Sequence, residues 1–215
     1  MNVKQLICSV AAITLLVGCA THPEIKTKPI EKVSSEKWSG KDFKYEVFYS
    51  QPKPGIISGG EQLDLVPLNK AELSVASAEV LSDFPKLISQ VLPSNVTLKK
   101  DGETDYVLTV NLVANHKRGP TYSDHEFTKS LAKGLLTLGL ASQDFNIIAD
   151  FNVEYILKNK TGESFAKKYA VKESIDNQKG AFEIHDRNAD FASELLKKHM
   201  ITTSAAFFGE AKAKL

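Results

Sequence analysis

An α+β fold, a single antiparallel sheet with two long helices packed on one face, is what this 215-residue sequence predicts. Three observations carry that reading. Residues 144–158 (DFNIIADFNVEYILK) place Phe145, Ile147, Ala149, Phe151, Val153, Tyr155 and Leu157 on one side. Asn146, Asp150, Asn152, Glu154 and Lys158 fall on the other. One dry face and one wet face mark antiparallel pairing. Residues 70–92 and 186–212 instead repeat their apolar positions every three to four residues, the helical period. Finally, the order strand, helix, strand, apolar segment, long hairpin, helix suits one sheet covered by helices.

The elements follow in chain order. Phe43, Tyr45, Val47 and Tyr49 alternate with Lys44, Glu46, Phe48 and Ser50, which predicts a strand. QPKPGIISGG (51–60) is a turn-rich loop, and 61–67 form a second short extended piece. Leu73, Ala76, Val80, Phe84, Leu87 and Val91 give the first helix its stripe. Pro85 kinks or splits that helix, with Ser82 or Asp83 capping the second half. Residues 105–115 (DYVLTVNLVAN) form a strand with Tyr106, Leu108, Val110 and Leu112 on one face. NKTGE (159–163) supplies a hairpin turn in which Gly162 suits positive φ. Phe165, Lys167, Tyr169, Val171 and Glu173 continue the return strand. The last helix carries Phe191, Leu195, Met200, Thr203 and Phe207 near one stripe.

Ahead of these elements stands a leader. Residues 1–5 carry one positive charge, Lys4, and residues 6–18 (LICSVAAITLLVG) carry none. This apolar run is too short to span a hydrocarbon core of about 30 Å as a helix, and the layout is that of a secretory signal peptide. It ends Leu16-Val17-Gly18-Cys19. That ending resembles the lipobox of bacterial lipoproteins. The resemblance implies cleavage between Gly18 and Cys19, a diacylglyceryl group on the Cys19 sulfur, and acylation of the new α-amine. Two or more acyl chains hold a protein stably on a bilayer. Ala20, not aspartate, follows Cys19. In lipoproteins of Gram-negative cells this implies lodging in the outer membrane, facing the periplasm.

The expected organisation is therefore a cleaved signal peptide (1–18), a lipidated cysteine with a flexible tether (19–40), and one α+β periplasmic domain (41–215). Residues 20–40 are rich in Lys, Glu, Ser, Thr and Pro and cannot bury enough apolar surface to order themselves. Fully extended, roughly 20 residues reach about 70 Å. Trp38 is the exception, suited to packing on the domain edge in preference to touching the membrane interface.

Charge and residue usage narrow the function. Lys and Arg number 27 against 26 Asp and Glu. Nucleic acid calls for a basic footprint, which this balance does not supply. The two cysteines are Cys8, in the leader, and Cys19, which lipid would block, so no disulfide, thiolate nucleophile or cysteine metal site is expected. Of the five histidines, His22 lies in the tether, His185 precedes the last helix, and His199 falls at the edge of that helix's apolar stripe. His116 and His125 flank a polar loop, HKRGPTYSDHE, whose spacing fits no metal motif. Ser123, Asp124 and His125 are the residue types of a catalytic triad, but neighbours on one loop cannot form a relay among themselves. No nucleotide-binding or hydrolase motif appears, and no metal or cofactor is expected.

Residues 127–141 (FTKSLAKGLLTLGLA) are apolar on nearly every side after Lys133. Burial against the sheet is the reading that general residue bias favours. A contact surface built on Leu135, Leu136, Leu138 and Leu140 is the second, since exposed apolar patches mark interaction sites. Shallow insertion into a bilayer beside the anchor is the third. LLTLGL (135–140), followed by a long alternating hairpin and placed behind a lipobox, resembles a group of small uncharacterised Gram-negative envelope lipoproteins. That group usually has a proline soon after the run, where this chain has Ala141-Ser142-Gln143. The resemblance implies no catalytic residues. The expected function is a non-catalytic binding or assembly accessory of the cell envelope, held on the membrane by its lipid and meeting an envelope protein partner. Two rivals stay open: an envelope hydrolase using the 116–126 loop, and a carrier of a small lipophilic ligand.

Overall fold

The computed structural model describes residues 22, 24–27, 29–54, 60–125, 143–179 and 187–215. Cys19, Gly18, the apolar run with Leu135, Leu136, Leu138 and Leu140, and His185 all lie outside the described residues. The strands are β1 (Asp42–Ser50), β2 (Val66–Pro67), β3 (Thr97–Lys99), β4 (Tyr106–Ala114), β5 (Thr121–His125), β6 (Gln143–Asn159) and β7 (Ser164–Lys179). The helices are α1 (Val75–Ser82), α2 (Phe84–Ser89) and α3 (Asn188–Lys214).

The seven strands among the described residues all join one sheet. β6 is its axis. One edge of β6 pairs antiparallel with β4 and then β5; the other pairs along its length with β7. The turn between β6 and β7 is fixed by Asn159, whose Oδ1 accepts the backbone N–H of Thr161 at 3.1 Å and of Glu163 at 2.9 Å. Gly162 takes φ +93°, which a residue with a Cβ rarely adopts.

Two expectations are corrected. The sheet is mixed, not antiparallel throughout: β1 runs parallel to β4 and to β3, and antiparallel only to β2. Between β1 and β4 the chain passes through α1 and α2, the kind of crossover that parallel neighbours require. Among the described residues there is also one long helix, not two. The segment expected as a helix over 70–92 begins only at Val75, where the Ser74 hydroxyl accepts the Ser77 N–H, and breaks at Asp83. Pro85 stands in the first turn of α2, where its missing N–H costs nothing.

The dry face is as the alternation predicts. Ile147, Ala149, Phe151, Val153, Tyr155 and Leu157 of β6 are buried, as are Tyr106, Leu108, Val110 and Leu112 of β4. Opposite them α3 buries Phe191, Leu195, Leu196, Met200, Phe207 and Phe208. Tyr155 stacks on Phe207 at 5.3 Å, and its hydroxyl meets Thr203 Oγ1 at 2.9 Å. Burial raises the Tyr155 phenol far above its ordinary pKa and keeps it neutral. Packing also reaches upstream of residue 41. Trp38 is fully buried, edge-on to Phe43, Tyr106 and Phe208 at 5.8–6.4 Å. The Val33 N–H donates to the Val91 carbonyl at 2.8 Å, and the His22 ring lies 5.5 Å from Phe191.

Leu108, fully buried between β1 and β6, tests this core. Leu108→Ala should lower unfolding free energy by about 3 kcal/mol in urea titration. Thr109→Ala, on the opposite face, should change it by less than about 1 kcal/mol.

Candidate functional site

The place where the sheet is interrupted is also where its polar side chains collect. Ala114, the last residue of β4, pairs with Phe151; Thr121, the first of β5, pairs with Ala149. Residues 115–120 therefore all stand opposite Asp150 alone. Both ends of this excursion are pinned to that residue: the Asn115 N–H donates to the Asp150 carbonyl at 3.1 Å, and the Asp150 N–H to the Pro120 carbonyl at 2.9 Å. Asn115 Nδ2 donates to Asp150 Oδ1 at 2.7 Å, and Asn152 Nδ2 donates to Asn115 Oδ1 at 3.0 Å.

The loop then turns back on itself, the Gly119 N–H donating to the His116 carbonyl at 3.0 Å. Gly119 has φ +106°, and a Cβ there would lie 2.9 Å from Ser74 Oγ. Glycine is thus what lets the loop rest on the N-cap of α1. On the other side, Tyr122 packs against both an imidazole and a guanidinium. The His116 ring stacks on it at 4.1 Å, and the Arg118 guanidinium sits 4.5 Å from its centroid. Arg118 Nη1 donates to the Ser123 carbonyl at 2.6 Å and Nη2 to Asp124 Oδ1 at 2.9 Å. Burial and the neighbouring Arg118 charge hold the His116 imidazole below its ordinary pKa, which suits Nδ1 as acceptor of the Arg118 backbone N–H at 3.2 Å.

Between this loop, α1 and α3 lies an open groove of about 460 Å³. Ser74, Val75 and Ala76 form one wall, Asn188, Ala189 and Ala192 another, and Arg118 with Thr121–Ser123 the third. Two helix N-termini thus face one groove. Thr121 shares the face of buried Ala149; it is 1% exposed, and its hydroxyl has no hydrogen-bond partner among the described residues. Asn188, at the head of α3, is buried and accepts from Asn177 Nδ2 at 2.9 Å. Val75 stands on the rim, 74% exposed.

The residue types singled out for a hydrolase are placed apart in role. The Asp124 carboxylate is taken by Arg118, His116 packs on Tyr122, and His125 stands edge-on to Phe145 at 4.9 Å. Among the described residues no group of three His, Cys, Asp or Glu side chains is placed to hold a metal ion. No helix among them is long and apolar enough to cross a membrane. Sequence reasoning does not mark Arg118, Thr121, Tyr122, Ser74 or Asn188; in the 116–126 loop it weighs only His116, Ser123, Asp124 and His125. The Gly-Pro step beside Arg and Tyr is the one local signal for the turn.

A second polar cluster joins β7 to α3. Lys198 Nζ donates to both Glu173 oxygens at 2.7 and 2.9 Å. His199 Nε2 comes within 2.7 Å of Glu173 Oε2, too poorly aligned for a good hydrogen bond. Burial lowers the His199 pKa and outweighs the pull of Glu173. Burial pushes the Glu173 carboxyl up, but Lys198 and His199 together hold it below the usual value. A separate surface groove of about 300 Å³ runs between α1–α2 and α3, lined by Glu79, Asp83, Lys86, Glu194 and Lys197 among others.

No family model matches this chain, and no curated protein matches it. Among solved structures it is similar to protein XCC0632 from Xanthomonas campestris, of the family DUF330, with 9% identity over 86% of this chain and 91% of that one, at a TM-score of 0.37. It is also similar to a structure described as a neuraminyllactose-binding hemagglutinin homolog from Helicobacter pylori. There the identity is 10% over 90% of this chain and 97% of that one, at a TM-score of 0.40.

Gly119→Ala should lower unfolding free energy by roughly 1–3 kcal/mol, because it adds a strained φ and a clash with Ser74; chemical denaturation checks it. The acid response of the second cluster has a definite sign. A histidine whose folded pKa is lowered contributes stability that is full above its unfolded value of 6.5 and is lost as pH falls toward the folded one. Glu173, also lowered, adds a further loss at lower pH. Unfolding free energy measured between about pH 7 and pH 5 should therefore fall, and His199→Gln should flatten that fall in part, since His116 also contributes to it.

Proposed function

We propose that the protein is a lipid-anchored, non-catalytic binding module of the cell envelope, held by Cys19 in the outer membrane, facing the periplasm, and engaging its partner through the groove between α1, β5 and α3. The observation that carries this reading is the groove itself: an open site walled by two helix N-termini and a loop that a dense hydrogen-bond network holds in place. The Leu16–Cys19 lipobox supports the anchor. That Asp124 is engaged by Arg118 favours binding over hydrolysis. A contact surface formed by Leu135, Leu136, Leu138 and Leu140, between β5 and β6 in the chain, is a second part of this reading.

The test is a photo-crosslinking residue at Val75 of the full lipidated chain in cells, with the same residue at Lys168 as control. A specific product at Val75, absent at Lys168, is the expected result. Identical patterns, or none at Val75, would sink the binding reading. In the same cells Cys19→Ala should move the protein out of the membrane fraction, and unchanged fractionation would remove the anchor.

A further inference from the structure

The chain ahead of β1 is fastened to the domain at two distant places. At the first, the His22 ring lies 5.5 Å from Phe191, near the start of α3, and its Nδ1 lies 3.2 Å from Asn177 Oδ1. Asn177 Nδ2 donates in turn to Asn188 Oδ1 at 2.9 Å, so His22, β7 and α3 meet there. Asn177 stands opposite Phe145, which puts this meeting at the end of the sheet where β6 begins. At the second place Trp38 packs on Phe208 of α3 at 5.8 Å and on Tyr106 at 6.4 Å. Tyr106 stands opposite Asn159, the last residue of β6. Phe191 and Phe208 lie about 25 Å apart along α3 by helical rise. Between the two places Ile25 and Ile30 pack on the core, and the Val33 N–H donates to the Val91 carbonyl at 2.8 Å. Each of these holds is on the helical side of the sheet.

Chain length then limits where an anchor at Cys19 can sit. Three residue steps separate Cys19 from His22, and together they reach about 10 Å at most. A segment free of the domain over 20–40 would reach about 70 Å.

We infer that the chain from His22 to Trp38 is a strap, which holds one end of the domain, where α3 starts and β6 begins, against the bilayer that carries the Cys19 lipid. The headgroup layer is what this end meets. Asn188 and Ala192, which wall the groove, flank Phe191 on α3, so the groove belongs to the half of the domain nearer the membrane. A partner in that groove is met at the membrane surface. The inference rests on the reading that Cys19 carries lipid, and not on the groove as the binding surface.

The experiment places the full lipidated chain in vesicles of phosphatidylethanolamine and phosphatidylglycerol that carry an energy acceptor on their headgroups. A donor dye is attached at Asp190→Cys or, separately, at Ala213→Cys, both exposed positions on α3. The two dyes stand about 35 Å apart along the helix, and transfer should be at least about twofold stronger from position 190. Inserting about 20 Gly and Ser residues after Ala20, outside the folded core, adds a spacer of roughly 25 Å root-mean-square length and should bring the two positions to near-equal transfer. Equal transfer in the chain without the spacer overturns the inference. So does a difference that persists with the spacer, which assigns the orientation to lipid affinity of the domain itself. If Cys19→Ala leaves the protein on the membrane, the anchor reading falls and this inference with it. If Cys19→Ala releases the protein and the two dyes still give equal transfer, this inference alone falls.

Discussion

One strand dictates the architecture. β6 is 17 residues long and is paired on both edges for most of its length, so every other strand takes its place from it, directly or through β4. Its side chains alternate, and a slip of one residue against β4 or β7 would turn Phe151, Val153 and Tyr155 out of the core. Burial of those side chains under α3 is therefore what sets the register of the sheet. The aromatic contacts of Trp38 with Phe43, Tyr106 and Phe208 then close the far end, where the chain enters the domain and α3 ends.

How far this was legible in the residues depends on what each element buries. β4 and β6 each have one dry face, and β7 has a half-buried one carrying Phe165, Tyr169, Val171 and Ile175, so a period of two shows in their sequences. β5 was not legible, because TYSDH buries only Thr121, leaving no alternation of apolar residues to see. The parallel pairing of β1 with β4 was hidden for a different reason. Alternation reports that a face is wet or dry and says nothing of direction. Direction follows from the strand–helix–strand connection, and the wet and dry faces of 144–158 argue only for their own hairpin. The long first helix failed at Pro85 and at Ser74, two local signals of which only the proline was weighed.

The groove was less legible still. Its walls come from residues 74–76, 118–123 and 188–192, which no linear motif joins. Trp38 shows the converse: composition marks residues 20–40 as a tether, and the one large ring set apart from it, expected to pack on the domain edge, is as buried as any in the domain. Averages over a polar segment cannot see a single aromatic anchor.

Positions 114 and 121 both face the helices, although seven steps along an uninterrupted strand would place them on opposite faces. The excursion over 115–120 absorbs the odd step, and its two ends are tied to the same residue of β6. Everything between those ties is outside the ladder, so its length and side chains are free of the register that constrains the rest of the sheet. Loop closure entropy grows only slowly with length, so a longer excursion costs little. The segment can thus be rewritten by mutation as a unit, residue types and length together, while the strands on either side keep their pairing. In such a scaffold recognition can diverge faster than the fold that carries it.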